Sequence, residues 1–166
     1  HEKEEVVLDR DIKKALVNVG YNEAITYSFT DPKVLSEFND IKPLMLTTPI
    51  SPELSAMRTS LLAGLSIVAK YNANRQQRKV RLFEQGLRYI VDASAENGVS
   101  QEAMIAAISV GDIEDEHWTE KTRPVDFFDM KGDVEALLNV TVDASAFSFV
   151  RSQEKCLHPG QSADIL

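Results

Sequence analysis

The chain has 166 residues, of which 43% are hydrophobic and 27% charged, a composition typical of a globular domain with one hydrophobic core. The formal net charge of −8 disfavours a broad nucleic-acid interface, although it leaves room for a local basic patch. No apolar run approaches the roughly 20 residues that a membrane-spanning helix needs, and the single cysteine, Cys156, favours a reducing cytosol.

The N-terminal quarter of the sequence predicts two helices separated by a strand. Apolar residues recur at helical spacing from Leu8 to Val19, and Gly20 follows as a stop signal. The stretch Ala24–Phe29 is rich in β-branched and aromatic residues and predicts a strand. Asp31 and Pro32 then start a short helix, with the aspartate as N-cap and the proline at the first helical position.

The next part of the chain predicts a strand, a turn and the strongest helix of the sequence. A strand within residues 42–51 is expected to end in a turn at Pro49 or Pro52. The helix runs from Ser60 to about Asn74, with Thr59 or Ser60 as its cap. Its buried face is formed by apolar side chains at helical spacing, namely Leu61, Leu65 and Val68.

The remaining sequence predicts a strand-rich region and a second helix. Two strands, Val80–Gln85 and Leu87–Asp92, are joined or bent around Gly86, and Ala103–Gly111 is apolar enough for a central strand. A helix from Asp126 to Leu138 and a strand at 146–150 follow, and the chain leaves through a turn at 158–160. Strands cluster in runs, which favours an α+β domain with a mainly antiparallel sheet flanked by helices.

The chain begins at His1 and ends in an apolar run at Ile165 and Leu166, so we interpret it as a piece of a longer protein that forms one domain over residues 1–166. It contains neither a G-x-G-x-x-G fingerprint nor a P-loop. His117 has no second histidine or cysteine at metal-ligand spacing, and His158 precedes a Pro-Gly turn signal, so both are expected at surface or loop positions.

Arg58 stands in the stretch MRTSLLAGL, directly before the strongest predicted helix. An arginine at this junction can hold a carboxylate or a phosphate group of a ligand. It can equally be a polar residue at the start of a helix that is capped by Thr59 or Ser60. The stretch by itself leaves both interpretations open.

Two further charged clusters have a functional and a structural interpretation. Asp126, Asp129 and Asp133 lie on one face of a predicted helix, where they would suit a hard cation or acid–base chemistry, but carboxylates also cap helices and favour the positive end of the helix dipole. Gly132 in the same helix suggests close approach of another backbone. The basic residues Arg75, Arg78, Lys79 and Arg81 could contact phosphates or an acidic partner, or form a solvated helix end.

The order of five motifs resembles the β-subunit family of bacterial phenylalanyl-tRNA synthetases. The resemblance covers residues 8–165 and is carried by GYNEAITYSF, PISPELSAMRTSLLAGL, NANRQQRKVRLFEQG, VDFFDMKGDVEALL and LHPGQSADI. Thr47-Thr48-Pro49 stands where an Asn-Pro is typical and Ala63 where a proline often occurs, which changes details of a turn and a helix start.

The resemblance implies a domain folded like a class II synthetase catalytic domain that is not itself catalytic. In active members, a hairpin of the pattern G-x-x-F-R supplies an arginine for the ATP phosphate. Here Ile90 stands at that position and Arg88 lies two residues earlier, where a side chain is out of register. The resemblance therefore implies that Arg58 is a degenerate substrate-side position, with no catalytic residue, metal ligand or cofactor site in this segment.

The resemblance also implies partners. The catalytic α subunit would assemble with this chain in an (αβ)2 enzyme of the cytoplasm that uses ATP and magnesium, with interface contacts expected at Pro49, Ser51, Leu61, Leu65 and Val68. Contact with tRNA or an acidic partner is expected at the basic residues 75–81. The alternatives are an active ligase whose motifs have drifted, and a synthetase-like sensor that binds an amino acid or RNA.

Overall fold

The computed structural model describes residues 9–115, 118, 121–140, 146–154 and 156–166. In chain order, its elements are α1 (Asp9–Asn18), β1 (Asn22–Glu23), β2 (Phe29–Thr30), α2 (Pro32–Phe38), a 3-10 turn (Pro52–Leu54), β3 (Ala56–Met57), α3 (Leu61–Ala73), β4 (Lys79–Val91), β5 (Val99–Gly111), α4 (Phe127–Leu138), β6 (Phe149–Arg151) and β7 (Ala163–Ile165). None of the helices in the described residues is long and apolar enough to cross a membrane.

The centre of the fold is a long antiparallel hairpin of β4 and β5. The two strands pair without interruption from Lys79 opposite Gly111 to Val91 opposite Val99, and β1 adds to β4 in parallel. The prediction of two strands bent around Gly86 is therefore wrong, because β4 is a single strand that passes straight through this glycine. The expected antiparallel α+β arrangement is otherwise present, with β1 as a short parallel addition.

Helices cover both faces of the hairpin, because side chains of a strand point alternately to opposite sides. On one face Phe83 packs with Leu16 of α1 and Tyr21, and Leu137 of α4 closes this cluster. On the other face α3 lies against β4 and β5, and its Leu61 side chain reaches the position of Gly86. A second buried cluster, Leu35, Ala56 and Ala63, joins α2, β3 and α3.

Two of the predicted strands shrink to short pairings. Within Ala24–Phe29 only the last residue belongs to a strand, because the backbone N–H of Thr26 donates to the Glu84 carboxylate instead of a neighbouring strand. The segment 42–51 forms only a bridge between Met45 and Ala56. Of the two expected turn positions in this segment, Pro52 starts the 3-10 turn.

The helix boundaries follow the local signals in the sequence. The Asp31 carboxylate accepts from Lys33 N at 2.8 Å, and the Ser60 hydroxyl accepts from Leu62 N at 3.2 Å, so both residues cap the helices that follow them. Gly20 ends α1 at a positive φ of 92°. These positions depend on neighbouring residues only, which is why the sequence predicts them.

Helix α4 confirms its predicted cap and corrects the interpretation of its glycine. Asp126 and Asp129 form a capping box at the N-terminus, in which each side chain accepts from the other residue's backbone N–H. The sequence suggests a close backbone approach at Gly132, but a Cβ atom there would meet no described atom within 4 Å. Among the described residues, therefore, no neighbour requires a glycine at position 132.

The last pairing of the chain is that of β6 and β7, with Phe149 opposite Ile165. The predicted strand begins at Ala146, but β6 starts three residues later, and residues 141–145 lie outside the described part of the chain. The turn expected at 158–160 is present, since Gly160 N donates to His158 Nδ1 at 3.1 Å. His117 also lies outside the described residues.

Candidate functional site

Arg58 is a buried structural residue and is only 5% exposed. Its Nε donates to the Leu87 carbonyl at 2.8 Å, and its Nη1 donates to Glu84 Oε1 at 2.6 Å. Nη1 also reaches the Thr26 hydroxyl at 3.2 Å. The guanidinium is thus directed at partners within the chain.

Glu84 completes this group, which we call the Arg58 cluster (Thr26, Arg58 and Glu84). The Glu84 carboxylate is 2% exposed and accepts from both Thr26 N and Thr26 Oγ1, at 3.2 and 2.7 Å. A buried ion pair is tolerated only when further hydrogen bonds satisfy its remaining polar groups. The threonine supplies those hydrogen bonds, so the cluster is internally neutral and satisfied.

Two glycines make room for the Arg58 cluster. A Cβ atom at Gly86 would collide with Nη2 of Arg58, and one at Gly64 would lie 2.8 Å from Cβ of Thr26. Our sequence interpretation missed Glu84 as the partner of Arg58. The available signal was a carboxylate in the apolar stretch VRLFEQG, because a charged residue inside a strand that packs on both faces needs a buried partner.

Arg88 and Ile90 are the hairpin positions that were compared with the G-x-x-F-R pattern of active synthetases. Neither position presents a free cation to a ligand. Arg88 lies opposite Glu102 and donates to Glu102 Oε2 through Nε at 2.8 Å and Nη2 at 2.6 Å. Ile90 lies opposite Ser100, two residues further along β4. Arg88 is therefore engaged in a cross-strand ion pair, and the other position is apolar.

Of the residues expected at a subunit interface, some are buried in the core and others lie at the surface. Leu61 and Leu65 are 2% and 0% exposed, so their side chains pack inside this chain, and we correct their assignment to an interface. Val68 is partly buried in the same helix. Pro49 is exposed and Ser51 partly exposed, and their contact with a partner stays a prediction.

The basic residues between positions 75 and 81 also differ in their exposure and partners. Arg75 and Arg78 are exposed, with the guanidinium of Arg75 over the Tyr71 ring at 3.4 Å, and Lys79 Nζ lies 3.9 Å from Asp115. Arg81 instead turns inward and donates to the Val19 carbonyl and the Asp133 carboxylate. Arg81 is thus removed from the expected partner contacts.

The three helix carboxylates all have structural partners within the chain. Asp133 accepts from Tyr21 at 2.9 Å and from Arg81. Burial, followed by the hydrogen bond and charge of Asp133, raises the pKa of Tyr21 to about 12. Arg123 donates to both oxygens of Asp129, and this contact, with the backbone N–H of Asp126, lowers the pKa of Asp129 to about 2.

These partners support a structural interpretation of the carboxylates, in which Asp126 and Asp129 cap α4 and Asp133 pairs with Tyr21 and Arg81. Within the residues that the structure describes, no group of three or more histidine, cysteine, aspartate or glutamate side chains is placed to hold a metal ion. The aspartates stabilise the start of α4 and its attachment to the sheet.

The surface feature that the sequence did not predict is an extended segment with outward apolar side chains. From Ala24 to Ser28 the side chains alternate between partly buried and exposed, and the outward residues are Ile25, 89% exposed, and Tyr27, 73% exposed. Met45 and Ile50 in the loop before β3 are also exposed. Large apolar side chains that face solvent together mark candidate interaction surfaces.

Comparison with known proteins gives one family for the whole chain. A family model described as the phenylalanyl tRNA synthetase beta chain CLM domain matches residues 1–166. The phenylalanine–tRNA ligase beta subunit of Haemophilus influenzae (strain 86-028NP) is 51% identical over 166 residues, and that of Shewanella oneidensis is 47% identical over 167. These matches cover 99% and 100% of this chain but only 21% of either relative.

Solved structures show the same fold at low sequence identity. Two structures of pyrrolysyl-tRNA synthetase from Desulfitobacterium hafniense match with TM-scores of 0.56 and 0.58, each at 13% identity. They cover 87% and 89% of this chain, and 47% and 50% of the respective synthetase chain. The likeness therefore concerns the fold alone, which is that of a class II synthetase catalytic domain.

Proposed function

The chain belongs to the phenylalanyl-tRNA synthetase β chain family, and we propose that it is a catalytic-like but non-catalytic core domain that supports assembly with the catalytic α subunit. Residues 1–166 would form this one domain within the longer β subunit. In this proposal the α subunit carries the chemistry with ATP and magnesium, and this segment holds neither.

The observation that carries the non-catalytic assignment is the engagement of Arg58 by Glu84. Stabilising charge that develops on a phosphate requires donors aimed at the place where the reacting group lies. Arg58 donates to Glu84, Thr26 and a backbone carbonyl, and it is buried. Arg88 is likewise paired with Glu102. These contacts support the proposal that neither arginine binds a nucleotide.

We expect this segment alone to form no aminoacyl-adenylate. The measurement is phenylalanine-dependent exchange of pyrophosphate into ATP by residues 1–166, with the αβ complex as the active control. Exchange above background by the segment, lost on replacement of Arg58 with Met, would contradict the proposal and favour a drifted active ligase.

We propose that the partner surface is the exposed apolar segment at Ile25 and Tyr27. Two side chains more than two-thirds exposed on one extended segment suit docking of an apolar partner face. Pro49 and Ser51 flank the exposed Ile50, and they remain candidates beside it. These residues take the place of Leu61 and Leu65, whose side chains are already buried.

Replacing Tyr27 with Asp is expected to weaken assembly of the full-length β subunit with α by at least about tenfold, since a carboxylate would be buried without a partner. Sizing and titration of purified subunits measure the effect. Val110→Asp is the matched control, because Val110 is also exposed but lies opposite Val80, at the other end of the hairpin from the contact of Arg58 with Tyr89. Equal affinities for both variants would exclude this surface as the docking site.

Transfer RNA would reach this segment only through the whole complex. The candidate contacts are Arg75 and Arg78, which follow the end of α3, and Lys79, which starts β4. Arg81 is no longer a candidate, because it turns inward to Asp133. We propose a cytoplasmic location for the complex, in keeping with its role in tRNA charging.

A further inference from the structure

The segment that carries Ile25 and Tyr27 is held along its inner side by residues of β4 and the loop before α3. Ala24 N donates to the Phe83 carbonyl at 2.8 Å, and Arg58 N donates to the Ser28 carbonyl at 2.9 Å, so both ends of the segment have backbone contacts. Between them, Thr26 is the residue whose side chain points inward. The position of the two outward side chains therefore depends on how Thr26 is held.

Within the Arg58 cluster, Thr26 is bonded to both of the other residues through its backbone and its side chain. Its backbone N–H and its hydroxyl both donate to the Glu84 carboxylate, and the same hydroxyl accepts from Arg58 at 3.2 Å. Gly64 of α3 receives the side chain at a distance that leaves no room for a Cβ. A hydroxyl that donates and accepts at once has one orientation available.

We infer that Thr26 is a positioning residue for subunit docking, through which the buried charges of Arg58 and Glu84 fix Ile25 and Tyr27 in an outward, binding-ready arrangement. A segment that is ordered before binding loses less conformational freedom when the partner docks, and affinity rises accordingly. Arg58, which resembles a substrate-side residue, thus affects assembly indirectly. It is buried, and it acts by holding Thr26 in place. This inference rests on the proposed docking surface.

The test replaces Thr26 with Val in the full-length β subunit, which keeps the side-chain shape and removes the hydroxyl. We expect assembly with α to weaken about tenfold and amide hydrogen exchange at residues 25–27 to accelerate. Thr26→Ser, which retains the hydroxyl, should restore both. Thr59→Val is the matched control: it also removes a buried threonine hydroxyl, here bonded to Asn39 at 3.1 Å, but lies outside the docking segment.

The outcomes separate this inference from the docking proposal. If Tyr27→Asp weakens assembly while Thr26→Val leaves affinity and amide exchange unchanged, the docking surface stands and the positioning role is overturned. If Thr26→Val and Thr59→Val weaken assembly equally, the effect is general destabilisation and the inference is again overturned. If Tyr27→Asp has no effect, the docking proposal fails and the inference fails with it. Weaker assembly and faster exchange in Thr26→Val, both restored by Ser, support it.

Discussion

Replacing Glu84 with Gln is expected to lower the free energy of unfolding by about 3–5 kcal/mol, which is the usual cost of removing one partner from a buried ion pair. The side chains of Arg58 and Glu84 are 6% and 3% exposed, so water cannot solvate the arginine that remains. The glutamine keeps the shape of the side chain, and the loss therefore reports the unpaired charge. Urea unfolding of residues 1–166, followed by circular dichroism, measures the difference.

Two further variants test whether the loss in Glu84→Gln comes from the unpaired buried charge of Arg58. Glu102→Gln removes the partner of Arg88 in a pair whose side chains are 41% and 29% exposed, and it should cost no more than about 1 kcal/mol because solvent screens the charge. The double replacement of Arg58 by Met and Glu84 by Gln should recover part of the loss, since no buried charge is left. Equal losses in Glu84→Gln and Glu102→Gln would show that the buried pair is not the stabilising feature.

Replacing Gly111 with Ala is expected to destabilise the protein by about 2–4 kcal/mol, through backbone strain and overpacking together. Gly111 ends β5 at a positive φ of 88°, which residues with a Cβ rarely adopt. A Cβ there would also collide with the Arg78 carbonyl, which itself accepts from Asp112 N at 2.8 Å. Because the obstacle is backbone, a rotamer change cannot relieve the contact.

Variants of two other glycines distinguish the cost of the positive φ from the cost of the collision. Gly98 has a positive φ of 70°, and a Cβ atom there would meet no described atom within 4 Å, so Gly98→Ala should cost only the conformational part, about 1 kcal/mol. Gly132 lies inside α4 in open space, and Gly132→Ala should raise stability by about 0.5–1 kcal/mol. Thermal and urea unfolding rank the three variants, and a loss at Gly111 no larger than that at Gly98 would argue against the collision.

The sequence by itself was sufficient for features that depend on neighbouring residues. The cap Asp31 and the stop at Gly20 were predictable, because capping and a positive φ act within a few residues. For α3 and α4 the sequence narrowed the cap to Thr59 or Ser60 and to one of three aspartates, and the structure selects Ser60 and Asp126. The order of the five motifs likewise identified the family, which the match over residues 1–166 confirms. An ordered set of motifs is specific even where each is weak alone.

The tertiary structure alone decided which partner each charge has and which side chains face outward. Arg58 and Glu84 lie 26 residues apart, and they meet because the register of β4 directs Glu84 to the face that α3 covers. The same packing buries Leu61 and Leu65 and leaves Ile25 and Tyr27 in solvent. Periodicity marks an apolar face but does not say whether the chain or a partner covers it, since that depends on contacts between distant segments.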